Sequence, residues 1–307
     1  MPYGTVNADL ITTSDGVSSA GLYGFKNRLI NGSFSIAQRA TSATITAGST
    51  IAAGYSTVDR WYVYCTGANV TAAQVAGVAP ELHQLQITGA SSVTAIGVGQ
   101  RIEAANSADL AGTTCTLSAN ISNSLLTTVT WTAYYANTAD TFGTLASPTR
   151  TQIATGTFTV TSTNTRYSAN IAIPSAATTG IEIVFTVGAQ TSGTWKLDNI
   201  QLEEGATATS YDARSIGTEF ALAQRYYCQG NFVSLHPQAT TTFGTTARNT
   251  LYITPPRTTP SCTTSGTNVT SLTVTPYLDT SGTCVLYFAG TASGSATISA
   301  WTASAEL

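Results

Sequence analysis

Charge is the scarcest commodity in this sequence: only 9% of its 307 residues are Asp, Glu, Lys or Arg, against about 25% in ordinary soluble proteins. With a formal net charge of −3 and a pI of about 5.3, no basic stripe exists to meet a polyanion, and nucleic acid is not an expected partner. Histidines number two. His83 falls in the alternating run Leu82 to Ile87, an ordinary sheet-surface position, and His236-Pro237 reads as a turn, so neither has a partner for acid–base or nucleophilic work. The five cysteines, Cys65, Cys115, Cys228, Cys262 and Cys284, are odd in number and contain no Cys-x-x-Cys. That argues against a disulfide framework and a zinc site and leaves them as small buried hydrophobes.

Long apolar runs are missing too. None reaches the ~18–20 residues of a membrane span, and Met1 to Asn7 lacks the basic and apolar stretches of a secretory leader. No membrane insertion is expected, and synthesis in a cytoplasm is. Gly97-Val98-Gly99 lacks a third glycine, and no Gly-Lys-Ser/Thr follows any glycine loop, so phosphate-cradling loops are excluded. Paired carboxylates could hydrolyse glycans. Glu203 and Glu204, however, are adjacent and would face opposite sides of a strand, while Asp59, Glu103, Asp109 and Asp140 are scattered. The chain is not expected to be an enzyme.

What is present is Thr, Ser, Asn and Gly, in runs such as Thr240-Thr241-Thr242 and Thr161-Ser162-Thr163-Asn164-Thr165. Mean hydropathy is +0.10. Hydroxylated, β-branched surfaces suit pleated sheets. Alternation confirms the lean: Trp61, Val63 and Cys65 share one face, opposite Tyr62 and Tyr64, and Val129, Trp131, Ala133 and Tyr135 share another, opposite Thr130, Thr132 and Tyr134. Similar faces follow over 167–173 and 181–187. Over 195–202 the same rule sets Trp195, Leu197, Asn199 and Gln201 against Lys196, Asp198, Ile200 and Leu202.

One segment departs from this period. Ile216, Phe220, Ala223 and Tyr227 recur every three to four residues, with Ser215 placed to cap and Glu219 in the first turn, which predicts one short helix. The expected fold is therefore all-β: an antiparallel β-sandwich of jelly-roll type over 27–212, a linking helix over 213–229 and a small β domain over 230–307. Residues 1–26 form an extended arm ahead of them. Val6, Leu10 and Ile11 in the arm are too sparse to bury themselves, and docking on a partner would order them. Phe220, Tyr226 and Tyr227 give the helix apolar area for a sheet or a sister helix.

Lys26-Asn27-Arg28-Leu29-Ile30-Asn31-Gly32-Ser33-Phe34, then Gln38-Arg39 and Thr57-Val58-Asp59-Arg60-Trp61, resembles the opening of a domain common in phage virion proteins. Trp195 to Gly205 is similar to that domain's closing strand, and Glu219 to Tyr227, ending Gln-Arg-Tyr-Tyr, is similar to the helix after it. The arm Met1 to Asp9 and the ending Ala305-Glu306-Leu307 resemble tail-fibre and virion structural proteins of cyanobacterial phages.

The resemblance implies a virion location, in a tail or appendage, with the arm docking on other virion proteins. It further implies a homotrimer and a central jelly roll like carbohydrate-binding ones. A head-decoration or head-fibre protein, or a glycan-specific receptor-binding protein, remains the alternative. No cofactor is expected beyond a structural calcium, which the resemblance places near Asn31, Ser33 and Asp198, although Ser35 stands where an acidic residue often follows in that pattern. Tyr62, Tyr64 and Tyr134, on faces opposite the core, are the candidate platform for stacking on a host-surface glycan.

Overall fold

The computed structural model describes residues 25–48, 54–235, 245–250, 255–267, 272–278, 284–290 and 296–307. Val6, Leu10, Ile11 and the rest of the arm to residue 24 lie outside the described residues, as does His236.

Eleven strands build a sandwich: β1 (Ser42–Ile45), β2 (Tyr62–Thr66), β3 (Val70–Ala76), β4 (His83–Thr88), β5 (Ala95–Ile102), β6 (Thr114–Asn123), β7 (Thr128–Ala136), β8 (Arg150–Thr159), β9 (Thr165–Ala172), β10 (Ile181–Val187) and β11 (Thr194–Glu204). They form a six-stranded sheet, β1-β3-β4-β11-β6-β9, and a five-stranded sheet, β2-β5-β10-β7-β8, antiparallel throughout. The expected all-β sandwich is the observed one.

The period-2 alternation supplies the core. Val63, Cys65, Ile96, Val98, Val129, Trp131, Ile183 and Phe185 on one sheet meet Leu85, Ile87, Leu117, Ile121, Trp195 and Leu197 on the other, all buried. Each large side chain contributes about 1.5–3 kcal/mol by leaving water. Cys65, Cys115 and Cys228 are buried as small hydrophobes.

The alternation expected over 195–202 breaks midway. A bulge between Asp198 and Gln201, with Asn199 at φ 46°, shifts the strand by one residue, so Trp195, Leu197, Ile200 and Leu202 all point inward. An inserted residue re-aims every side chain after it. Asn tolerates this left-handed conformation better than most residues.

After the sandwich come α1 (Ile216–Gln224), then β12 (Tyr227–Leu235), β13 (Thr245–Thr250), β14 (Ser261–Thr267), β15 (Leu272–Leu278), β16 (Cys284–Gly290) and β17 (Ala296–Ser304). They make two three-stranded sheets, β12-β17-β14 and β13-β16-β15. Pro276 lies in β15, an edge strand, as the expectation for a proline in a sheet requires.

The helix falls within the expected span but is shorter, ending at Gln224 with Tyr227 already in β12, and it faces otherwise. Ile216 and Phe220 are 62% and 39% exposed, while Glu219, Ala223 and Tyr226 turn inward. Ser215 makes no cap bond to the helix backbone; its hydroxyl meets that of Thr218 at 2.8 Å. A charged residue faces the sandwich because a bonding partner waits there.

Candidate functional site

That partner is the first motif. Asn31, buried and at φ 58°, donates its backbone N–H to the Glu219 carboxylate. Its side-chain amide donates to the carbonyls of Ile36 at 2.8 Å and Asp59 at 2.9 Å, and its Oδ1 accepts from the Ile36 N–H at 2.9 Å. Its own carbonyl accepts from Trp61 Nε1 at 2.9 Å. The Asn31 side chain is thus engaged within the chain at both its amide nitrogen and its oxygen. Ser33 is likewise engaged, with Ser35 at 3.0 Å.

The remaining motif residues join the same network. Asp59 accepts from the Gln38 backbone N–H at 3.1 Å and from its side-chain amide, and that amide also donates to the Tyr227 carbonyl at 2.9 Å. Burial holds the Asp59 carboxyl above its ordinary range, with Gln38 and Arg39 opposing. The Arg60 guanidinium lies 3.5 Å from the Tyr226 ring centre and that of Arg39 3.6 Å from the Tyr227 ring centre. Both arginines pair with Glu306. Arg225 reaches Glu103 at 3.0 Å, and Arg101 donates to the Leu307 carbonyl at 2.8 Å.

Tyr226 and Tyr227 are thus buried within the chain, at 1% and 7% exposure, and cannot form a contact with a sister helix; of the three assembly residues expected at the helix, Phe220 alone is open. Cation–π stacking in such desolvated sites is worth about 2 kcal/mol. The helix is fastened by these contacts.

The outer face of the five-stranded sheet carries the three tyrosines. Tyr62 and Tyr64 on β2 stand opposite Gly99 and Gly97 on β5, and a Cβ at either glycine would collide with the tyrosine beside it. The two rings lie 6.4 Å apart and 24° from parallel. Tyr62 is fully buried: Tyr55 meets it edge-on at 6.0 Å, and its hydroxyl donates to Glu182 Oε1 at 2.8 Å. Burial, then the Glu182 charge, pushes the Tyr62 phenol well above its ordinary range. Tyr62 therefore offers no face to a sugar, a correction to the expected platform.

Tyr64 and Tyr134 are half-buried, and Arg150 sits 4.0 Å from the Tyr134 ring centre. Opposite Tyr134, Glu182 is buried and bonded to Arg101 at 2.8 Å and to Arg150. From Tyr64 a cross-strand row runs over Gly97, Thr186, Thr130 and Thr157. The face is aromatic and hydroxylated, its charges paired with one another.

Asp198 lies on the other sheet, buried at the bulge. Its Oδ1 accepts from the Asn199 N–H at 2.7 Å, but its Oδ2 and the Asn199 Oδ1 are buried without a hydrogen-bond partner. Glu81 approaches through the Asn199 amide, at 2.6 Å. Among the described residues no cluster of three or more His, Cys, Asp or Glu gathers.

Burial, with Glu81 adding and Arg166 opposing, pushes the Asp198 carboxyl up to about 7. The folded state then keeps a proton that the unfolded chain, at about 3.9, has released. Stability contributed below pH 4 is lost as pH rises from about 4 to 7, at about 1.4 kcal/mol per pH unit. In the presence of a chelator, Asp198→Asn is expected to flatten that slope in urea titrations across the range, and an unchanged slope would contradict the assignment.

No family model and no curated protein matches the sequence. Among solved structures, the chain is similar to one described as "CBM4 structure and function", at 15% identity and a TM-score of 0.37, covering 57% of this chain and 98% of that one. It is similar to TmCBM61 in complex with β-1,4-galactotriose at 11% identity and 0.36, covering 58% and 99%. It is also similar to the enzymatically active domain of bacteriophage CBA120 tailspike protein 4 at 18% identity and 0.35, covering 52% of this chain and 22% of that one.

Proposed function

We propose that the chain is a non-enzymatic structural component of a phage particle, a tail-fibre or appendage subunit whose first 26 residues dock on other virion proteins. The observation that supports this most is what the motif residues do. Asn31, Gln38, Arg39, Asp59, Arg60, Glu219, Arg225, Tyr226 and Tyr227 meet in one network that fastens sandwich, helix and C-terminal strands together. Its carboxylates face arginines or amides, which suits holding rather than reacting. Gold labelling of the N-terminus on intact particles tests the placement: label on tail appendages is expected, and label on the capsid would favour the head-decoration alternative.

Contact with a host-surface glycan belongs to the same reading, with Tyr64 and Tyr134 as the stacking residues. The half-exposed Tyr64 across Gly97, continued by threonines, favours it. Stacking worth about 1 kcal/mol per ring implies a loss of about thirtyfold in binding on a glycan array for the Tyr64→Ala/Tyr134→Ala double variant. Binding that survives it would remove this platform.

The two buried, unpartnered oxygens of Asp198 and Asn199, which are hard ligands, support a structural calcium at this point of the sheet. Bound there, the ion would neutralise the buried carboxylate. Added calcium is expected to raise the melting temperature of the wild-type chain and to leave that of Asp198→Asn unmoved.

A further inference from the structure

We propose that β8 is a pairing edge onto which a second copy of this chain adds its own β8, antiparallel and about a two-fold axis. β8 ends the five-stranded sheet and is ten residues long. A terminal strand aims a row of N–H and C=O groups at solvent, and proteins blunt such edges by shortness, charge, proline, a bulge or cover; in β8 the one bulge lies near its start, at Ile153.

Two of the other three terminal strands of the sandwich carry such devices. β1 has four residues. β2 is covered: Val63 N–H donates to the Gly54 carbonyl at 3.2 Å, and Gly48 N–H donates to the Cys65 carbonyl at 3.1 Å. β9 is shorter than β8, at eight residues, and its Arg166 is drawn inward to Ser118 Oγ and to the Asn199 and Thr209 carbonyls.

β8, Arg-Thr-Gln-Ile-Ala-Thr-Gly-Thr-Phe-Thr, has no proline and one charge, Arg150, at its first position and drawn into Glu182. Among the described residues, its only main-chain hydrogen bonds are those of its ladder with β7. The bulge at Ile153 leaves Ala154 to Thr159 in unbroken register with that neighbour.

Behind this edge the core stands ajar. Ile153 and Ala154 on β8 and Tyr167 and Ala169 on β9 pack on the core yet are only half-buried. Phe158 and Tyr167 stack at the opening, 5.5 Å apart. An added strand would cover this seam while satisfying the open backbone groups.

The sequence of β8 favours its own copy as that strand. A two-fold axis normal to the sheet keeps like faces together only if paired residue numbers sum to an even value, because side chains alternate. Centred on Gly156, the pairing sets Thr155 against Thr157 on the outer face and Ala154 against Phe158 on the core face. Arg150 falls beyond the ladder, so no like charges oppose each other. This pairwise contact stands in place of the threefold association that the resemblance implies.

Light scattering of the full chain is expected to give twice 31.7 kDa. Thr155→Lys/Thr157→Lys, at two exposed positions, is expected to halve that mass with the circular dichroism spectrum unchanged. Mixing chains carrying Thr155→Cys with chains carrying Thr157→Cys should yield disulfide-linked dimers under mild oxidation that neither chain nor the wild type yields alone. A wild-type mass of one or three chains, a dimer indifferent to the lysines, or a monomer whose β8 amides are already protected from exchange by its own arm would each overturn the proposal.

Discussion

Replacing Glu182 by alanine is expected to lower the unfolding free energy by about 3–5 kcal/mol, the cost of stripping one partner from a buried ion pair. The side chain is fully buried between Arg101, 3% exposed, and Arg150, 12% exposed, and it also accepts the Tyr62 hydroxyl. Its loss strands two guanidinium groups and a phenol where water reaches them poorly. Urea denaturation reads the effect directly. Glu182→Gln keeps an acceptor for Tyr62 and should recover part of it. A group poised for catalysis would behave otherwise, since its removal commonly leaves stability untouched or improved.

Asn31→Ala carries the second large effect. The amide satisfies the carbonyls of Ile36 and Asp59 and the N–H of Ile36, all buried. Each group left unsatisfied costs about 1–3 kcal/mol, and alanine at φ 58° adds about 1 kcal/mol more. The Ile36 carbonyl keeps its bond from the Asp59 N–H, so two groups lose their partner and a total near 3–7 kcal/mol is expected, seen as a drop in the urea midpoint that is the same with calcium or chelator. A loss that appeared only with calcium present would give Asn31 the role of metal ligand.

The strands were legible because alternation is local: Trp61, Val63 and Cys65, or Val129, Trp131 and Ala133, announce their buried face within a few residues. The turn of β11 was not, because a bulge at Asn199 leaves the apolar count unchanged while moving every later side chain across the sheet. The buried face of α1 was hidden for another reason. Glu219 points inward to a backbone N–H 188 positions away, and no periodicity within a helix reports such a partner.

Tyr62 shows the same limit. Opposite a core residue it reads as open surface, yet Tyr55, Arg101 and the chain's last residues close over it. The motifs themselves were visible, and so was their order. That they interlock through Glu306 and two stacked arginines is a property of the fold alone.

The most direct test of a structural role in a particle is quantitative mass spectrometry of phage purified through a density gradient. The chain is expected in the particle band, in fixed multiple copies that stay through high-salt washing, since only 9% of its residues are charged. A chain found only in the unassembled lysate, and absent from the particle band, would contradict the account.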